Sequence, residues 1–202
     1  MGVGGGPFFR GWPILARGRD DDGPDSRHMP LTLLLGGARS GKSTLALRRA
    51  SRSGVPVVFV ATGQAGDDEM TARIARHRAE RPAHWRTVEE PVERAGTLAA
   101  CPVEACVVVD CLSLWVANVM GRGVDDREIE RLAGEAAALA AGRRTTTIAV
   151  SNEVGLGVVP EHPLARRYRD ALGRVNALWA MAADEALLVV AGRTLRLEEG
   201  VG

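Results

Sequence analysis

The sequence predicts an α/β protein: a mostly parallel sheet flanked by helices. Three observations predict it. From Leu31 onward, apolar runs of five or six residues alternate with longer amphipathic segments. The runs are almost continuously apolar, as strands covered on both faces are. A glycine-rich string, GGARSGKST, joins the first run to the first amphipathic segment.

The first strand is LTLLL (31–35), and a helix over 42–53 follows the glycines. PVVFVA (56–61) is the second strand. Asp67 or Asp68 then caps a helix over 67–80, because a short acidic side chain there accepts hydrogen bonds from the free amides of the first turn. A helix over 91–100 precedes the strand ACVVVD (105–110), and helices over 112–120 and 126–141 come after it. TTTIAV (145–150) leads through a glycine- and proline-bearing connection to a helix over 163–183. EALLVV (185–190) and a short TLRL (194–197) close the sheet. With no internal repeat, residues 30–202 read as one domain. Residues 1–29 hold seven glycines, three prolines and the run RDDDGPD without periodicity, so a disordered extension is expected, with the working chain starting near Met29.

Composition excludes several classes. With 26 basic against 25 acidic residues, the chain carries no broad electrostatic footprint for nucleic acid, and no polybasic anchor is expected. LSLWVANVM is the longest apolar candidate for a membrane span, and Ser113 and Asn118 interrupt it. Cys101, Cys106 and Cys111 are spaced by five, which suits neither a disulfide framework nor a zinc site, so a reducing cytoplasm is expected. The basic set contains a single lysine, Lys42. Covalent chemistry through any other lysine is therefore excluded.

Gly36, four residues, then Gly41-Lys42-Ser43 satisfy the phosphate-loop pattern GxxxxGK[ST], and they fall between a buried strand and a helix, as the mechanism requires. Gly36, Gly37 and Gly41 let the backbone curl so that successive amides face phosphate oxygens. The helix start adds its positive end, Lys42 adds a compact ammonium, and the Ser43 hydroxyl is a natural magnesium ligand. Asp110, at the end of an apolar strand, is placed to serve the same ion.

The helix over 67–80 sets Met70, Ile74 and His77 at i, i+4 and i+7, with Arg73, Arg76, Arg78 and Arg81 around the imidazole. Two readings stand on spacing alone. The arginines and histidine form a triphosphate surface, or they are a solvated basic face with a histidine tucked against its helix. The segment SNEVGLGVVPEHPLARRYRDALGRVN lies where open α/β sheets bind ligands, and a second substrate fits there as well as surface charge does.

These strings together resemble the bifunctional adenosylcobinamide kinase/adenosylcobinamide-phosphate guanylyltransferase family of cobalamin biosynthesis. GGARSGKS (36–43), DDEMTARIARHR (67–78), RPAHWRTVEEP (81–91), DCLSLWVAN (110–118), the 151–176 segment and AADEALLVVAG (182–192) run in the family's order. The resemblance implies a RecA-like phosphate-loop fold and a two-step activity. The aminopropanol hydroxyl of adenosylcobinamide is phosphorylated by ATP or GTP, and GMP then passes from GTP to that phosphate through a histidine, here His77. It further implies that Gly36, Gly37, Ala38, Arg39, Ser40, Gly41, Lys42, Ser43 and Thr44 hold nucleotide phosphates. Thr62, Gly63 and Gln64 would line the nucleotide site, and Arg78, Ala79, Glu80 and Arg81 would flank the guanylylated histidine. Glu89 and Asp110 match acidic contacts to the nucleotide. Magnesium would bind at Ser43 and Asp110, and the assembly would be a homotrimer. Two other functions compete: a monofunctional phosphate-loop kinase for a small alcohol, and a RecA-like ATPase that works on nucleic acid, against which the balanced charge argues.

Overall fold

The structure, a computed structural model, describes residues 31–198. The extension expected over residues 1–29 lies outside them. The described residues form a seven-stranded sheet in the order β3-β2-β4-β5-β1-β6-β7. In chain order the elements are β1 (Leu31–Gly36), α1 (Lys42–Ser51), β2 (Val57–Ala61), α2 (Asp68–Ala79), β3 (Arg86–Glu89), α3 (Arg94–Ala100) and β4 (Cys106–Asp110). There follow α4 (Leu112–Gly121), α5 (Asp126–Ala141), β5 (Thr147–Asn152), α6 (Pro163–Ala182), β6 (Glu185–Val190) and β7 (Arg193–Leu197). Every pairing is parallel except β6 with β7.

Side chains alternate across the sheet plane, which is why its central strands lack a polar face. Leu31, Leu33, Val107 and Val109 join one buried cluster with α3 to α6. Leu34, Cys106, Val108, Ile148 and Val150 join the other, under α1. Trp115 and Trp179 are the largest fully buried side chains, both in the first cluster. Arg94 is buried beside Trp115, its guanidinium 5.0 Å from the centre of that ring, and burial lowers its pKa to about 9.

Three differences from the sequence reading matter. The strand expected at 145–150 runs over Thr147–Asn152, so Asn152 ends a strand instead of opening a loop. The helix expected from 91 begins at Arg94, because Glu93 accepts a hydrogen bond from the Gly96 amide and caps it there. β3 was not expected: RTVE is four residues long and carries no apolar run, yet it pairs with β2 at the sheet edge.

β5 is threaded between β1 and β4, so one strand separates the phosphate-loop strand from the strand ending in Asp110. That insertion is the RecA-like arrangement. It brings the carboxyl ends of β1, β5, β4 and β2 to one edge of the sheet, where ligands bind in open α/β folds.

Candidate active site

The phosphate loop leaves β1 at Gly36 and enters α1 at Lys42. Gly36 admits no side chain, because a Cβ there would lie 2.4 Å from the Val189 carbonyl oxygen and 2.7 Å from Ser40 Oγ. Gly37, Ala38 and Arg39 form the exposed crest, whereas Ser40 is buried. Lys42 is also buried, and its ammonium donates to the Gly37 carbonyl at 3.0 Å. Burial, the largest influence, pulls the Lys42 pKa below its ordinary value, and Asp110 works in the opposite sense. The ammonium is therefore held in place across the loop before any phosphate arrives.

Asp110 stands at the end of β4 facing that loop. The Ser43 hydroxyl donates to its carboxylate. Burial raises the carboxyl above the usual carboxylate range, while the Ser43 bond, His77, Lys42 and Arg81 pull it back. A hydroxyl oxygen paired with a carboxylate is the hard donor pair that magnesium takes when phosphates and water fill its other positions. Among the described residues no group of three or more His, Cys, Asp or Glu side chains could hold a metal unaided. The donor set fits a nucleotide-borne ion and not a dedicated metal cage.

On the opposite side lies α2. Asp67 accepts from the Met70 amide at 2.7 Å and starts the helix. No residue of α2 is buried, but Met70, Ile74 and His77 turn the same face toward the loop. Arg81 lies just beyond the helix end, stacked 3.7 Å over the Phe59 ring. Burial lowers its pKa, and its guanidinium also donates to Thr87 Oγ1 at 3.4 Å. Arg78 makes an exposed 3.4 Å ion pair with Glu89 at the end of β3.

These elements enclose a cavity of about 490 Å³. Of the residues expected at the site, Lys42, Ser43, Gly63, Gln64, His77, Arg78, Arg81, Glu89 and Asp110 line it. Thr62 does not: it is fully buried, donating to the Cys111 carbonyl and accepting from the Cys111 amide, both at 2.8 Å. It fixes the backbone after Asp110 and has no surface to offer a nucleotide. Ala79 and Glu80 also stand outside the cavity wall, exposed at the end of α2, and Thr44 is exposed on α1. Arg76 is exposed as well, so the lining holds three of the four arginines near His77.

Sequence reading missed Cys111 and Asn152 as lining residues. Cys111 looked like one member of an odd cysteine set, and only the Asp110 neighbour hinted at its place. Asn152 donates to Ser113 Oγ at 2.9 Å, and Ser113 Oγ also contacts Cys111 Sγ at 2.9 Å. Nothing short of the β1-β5-β4 order could place Asn152 between loop and acid. Past Asn152, the connection carrying Leu156, Val158 and Val159 is exposed and contributes no further lining.

A cavity with a lysine and hydroxyl at one wall, an acid at the next, and an imidazole among arginines opposite can bind a triphosphate and offer its phosphorus a nitrogen nucleophile. Residues 32–197 match the family described as cobinamide kinase / cobinamide phosphate guanyltransferase. The chain is 49% identical over 173 residues to a bifunctional adenosylcobalamin biosynthesis protein of Pseudomonas aeruginosa, covering 82% of this chain and 96% of that one. To its counterpart in Salmonella typhimurium the identity is 40% over 190 residues, covering 83% and 99%. A solved Pyrococcus horikoshii OT3 protein shares the fold with a TM-score of 0.52 at 10% identity, over 84% of this chain and 87% of that one.

Proposed function

Since the chain belongs to the cobinamide kinase / cobinamide phosphate guanyltransferase family and is a bifunctional kinase and nucleotidyltransferase of adenosylcobalamin biosynthesis, we propose that His77 carries GMP between its two substrates. One observation carries this reading: His77 shares a single cavity with Lys42, Ser43 and Asp110.

In the kinase step, the aminopropanol hydroxyl oxygen of adenosylcobinamide attacks the γ-phosphorus of ATP or GTP. The bond from that phosphorus to the β-bridging oxygen breaks, the nucleoside diphosphate leaves, and the hydroxyl proton is lost to solvent. In the second step a neutral ring nitrogen of His77 attacks the α-phosphorus of GTP. Pyrophosphate departs with the bridging oxygen and the imidazole gives up its proton. The adenosylcobinamide phosphate oxygen then attacks the same phosphorus, the phosphorus–nitrogen bond breaks, and adenosylcobinamide-GDP is released as the ring regains a proton.

Ser43 and Asp110 would hold magnesium, which neutralises phosphate charge when bound. Lys42 binds phosphate oxygens from the loop side. Arg73, Arg78 and Arg81 face the leaving charge from the α2 side, and the partial burial of Arg81 strengthens its pull. Exposed Leu195 and Leu197 on the outer strand β7 support assembly into the proposed homotrimer, which light scattering would read as three times the chain mass. The three cysteines are buried and unpaired, as a cytoplasmic enzyme's would be. No helix among the described residues is long and apolar enough to cross a membrane.

Incubation with α-labelled GTP tests the carrier role. Acid-labile, alkali-stable label that disappears in His77→Ala is the expected outcome. Label that persists in that variant would move the carrier role to another residue, and no label on the wild type would mean transfer without a covalent intermediate; either result would sink the proposal.

A further inference from the structure

We infer that the turn joining β6 to β7 is a working part of the nucleotide site, and that Gly192 is a positioning residue that aims the amides of the phosphate loop. The inference deepens the function proposed above and rests on its nucleotide-binding reading. Gly192 lies 149 residues beyond the end of the GxxxxGK[ST] pattern and does not line the cavity.

A phosphate loop works through the direction of its backbone N–H groups, and in a trans peptide the C=O and N–H point opposite ways. Holding a loop carbonyl from outside therefore turns the following amide inward. Two loop carbonyls are held in this manner. The Gly36 carbonyl accepts from the Glu153 amide at 3.1 Å, and the Ser40 carbonyl accepts from the Gly192 amide at 2.8 Å. The first anchor turns the Gly37 amide away from Glu153, and the second turns the Gly41 amide away from Gly192. Gly41 is also the cap of α1, where the positive end of the helix adds to the same field.

The turn is built for this contact. Val190 pairs with Arg193 in the antiparallel β6-β7 ladder, so Ala191 and Gly192 alone make the connection. Both have left-handed backbones, φ 51° and φ 75°, the pair that a tight hairpin of this hand requires. The Gly192 Cα lies 3.4 Å from where a Gly41 Cβ would sit, so turn and loop are within van der Waals reach of each other, and the left-handed Gly41 backbone, φ 100°, is what calls for glycine there. Ser40 needs the outside hold more than its neighbours do. Among the described residues its buried hydroxyl has no hydrogen-bond partner, leaving its backbone bonds, to Gly37 at 3.3 Å and to Gly192, to fix it.

A Cβ on Gly192 itself would meet nothing within 4 Å. A substitution there therefore acts through backbone conformation and not through a clash. Asparagine tolerates the left-handed region, and valine resists it. The test pairs Gly192→Val with Gly192→Asn and measures magnesium-GTP dissociation constants by titration calorimetry, guanylyl transfer at saturating GTP, and the melting temperature.

Gly192→Val is expected to weaken GTP binding about tenfold, with transfer at saturating GTP lowered by no more than about threefold, while Gly192→Asn stays within about twofold on both. A folded Gly192→Val that binds GTP as the wild type does, or a Gly192→Asn as weak as the valine variant, overturns the inference. Should the valine variant not fold, amide hydrogen exchange on the wild type reads the same bond. The Gly192 amide is expected to be protected and to slow further when GTP is added, and exchange at the rate of an open amide overturns the inference. A wild-type chain that binds no GTP would instead fail the function proposed above.

Discussion

The two halves of the site are built differently. The phosphate loop is backed by β1, pinned by Glu153 and Gly192 through its own carbonyls, and continues into α1, which buries Lys42, Leu45, Ala46 and Ala50. The helix that carries His77 buries none of its residues, and among the described residues its ion pair to the sheet is the exposed Arg78–Glu89 pair, with Arg81 stacked on Phe59 just past its end. Exposed pairs of that kind contribute about 0–1 kcal/mol. The site thus sets a prebuilt phosphate cradle against a lightly held nucleophile. Phosphate affinity belongs to the first, where rigidity avoids an ordering cost at binding. The second is the element with least to lose by adjusting to the nucleotide.

Breaking the cradle should have the largest effect. Lys42→Ala removes the one ammonium and is expected to lower both transfers by about a thousandfold. Loss of phosphorylation alone, with guanylyl transfer intact, would show that the loop serves one step and would divide the two halves by reaction. Rates measured separately with adenosylcobinamide and with its phosphate decide this.

Asp110→Asn should cost about a hundredfold in rate and yet leave a more stable protein. The sign follows from the raised carboxyl pKa. The folded chain binds that proton more tightly than the unfolded chain, so the group favours the fold at low pH, and its contribution declines as pH rises from the ordinary carboxylate value through the raised one. At neutral pH a neutral amide avoids the burial of charge. The melting temperature should rise by about 2–4 °C, and the acid limb of the wild-type rate profile should be lost in the variant. An unchanged or lower melting temperature would show that the Ser43, Lys42 and Arg81 interactions outweigh burial.

Thr62→Val tests a residue beneath the cradle. It removes both bonds to the Cys111 backbone at a fully buried position, with an expected loss of about 1–3 kcal/mol. GTP affinity in the folded fraction should be near normal, since Thr62 does not line the cavity. The smallest effect belongs to the helix. Arg76→Ala should leave melting temperature and transfer unchanged within error, because its side chain is exposed and turned from the cavity. A drop in transfer there would show that α2 presents a different face when nucleotide is bound.

Legibility in the sequence followed the same division. The cradle could be read because its residues are contiguous and Lys42 has no competitor elsewhere in the chain. The central strands could be read because burial on both faces leaves long apolar runs. β3 escaped because an edge strand of four residues needs no such run. Cys111 and Asn152 escaped because strand order, and not spacing, makes them neighbours of the loop. Thr62 was expected at the site on the family resemblance, yet a hydroxyl that satisfies both groups of a buried backbone residue is used up before any ligand arrives. On α2 the spacing showed which side chains share a face but not which face meets the loop, and Arg76 fell on the other one.

The central claim is that a histidine on the lightly held helix, and not a group on the cradle, takes the nucleotide. Peptide mapping of the chain after reaction with GTP tests it most directly. Mass spectrometry should find GMP on the His77 side chain, with His84 and the loop residues unmodified. GMP on His84, on Lys42 or on any residue of the phosphate loop would contradict the account.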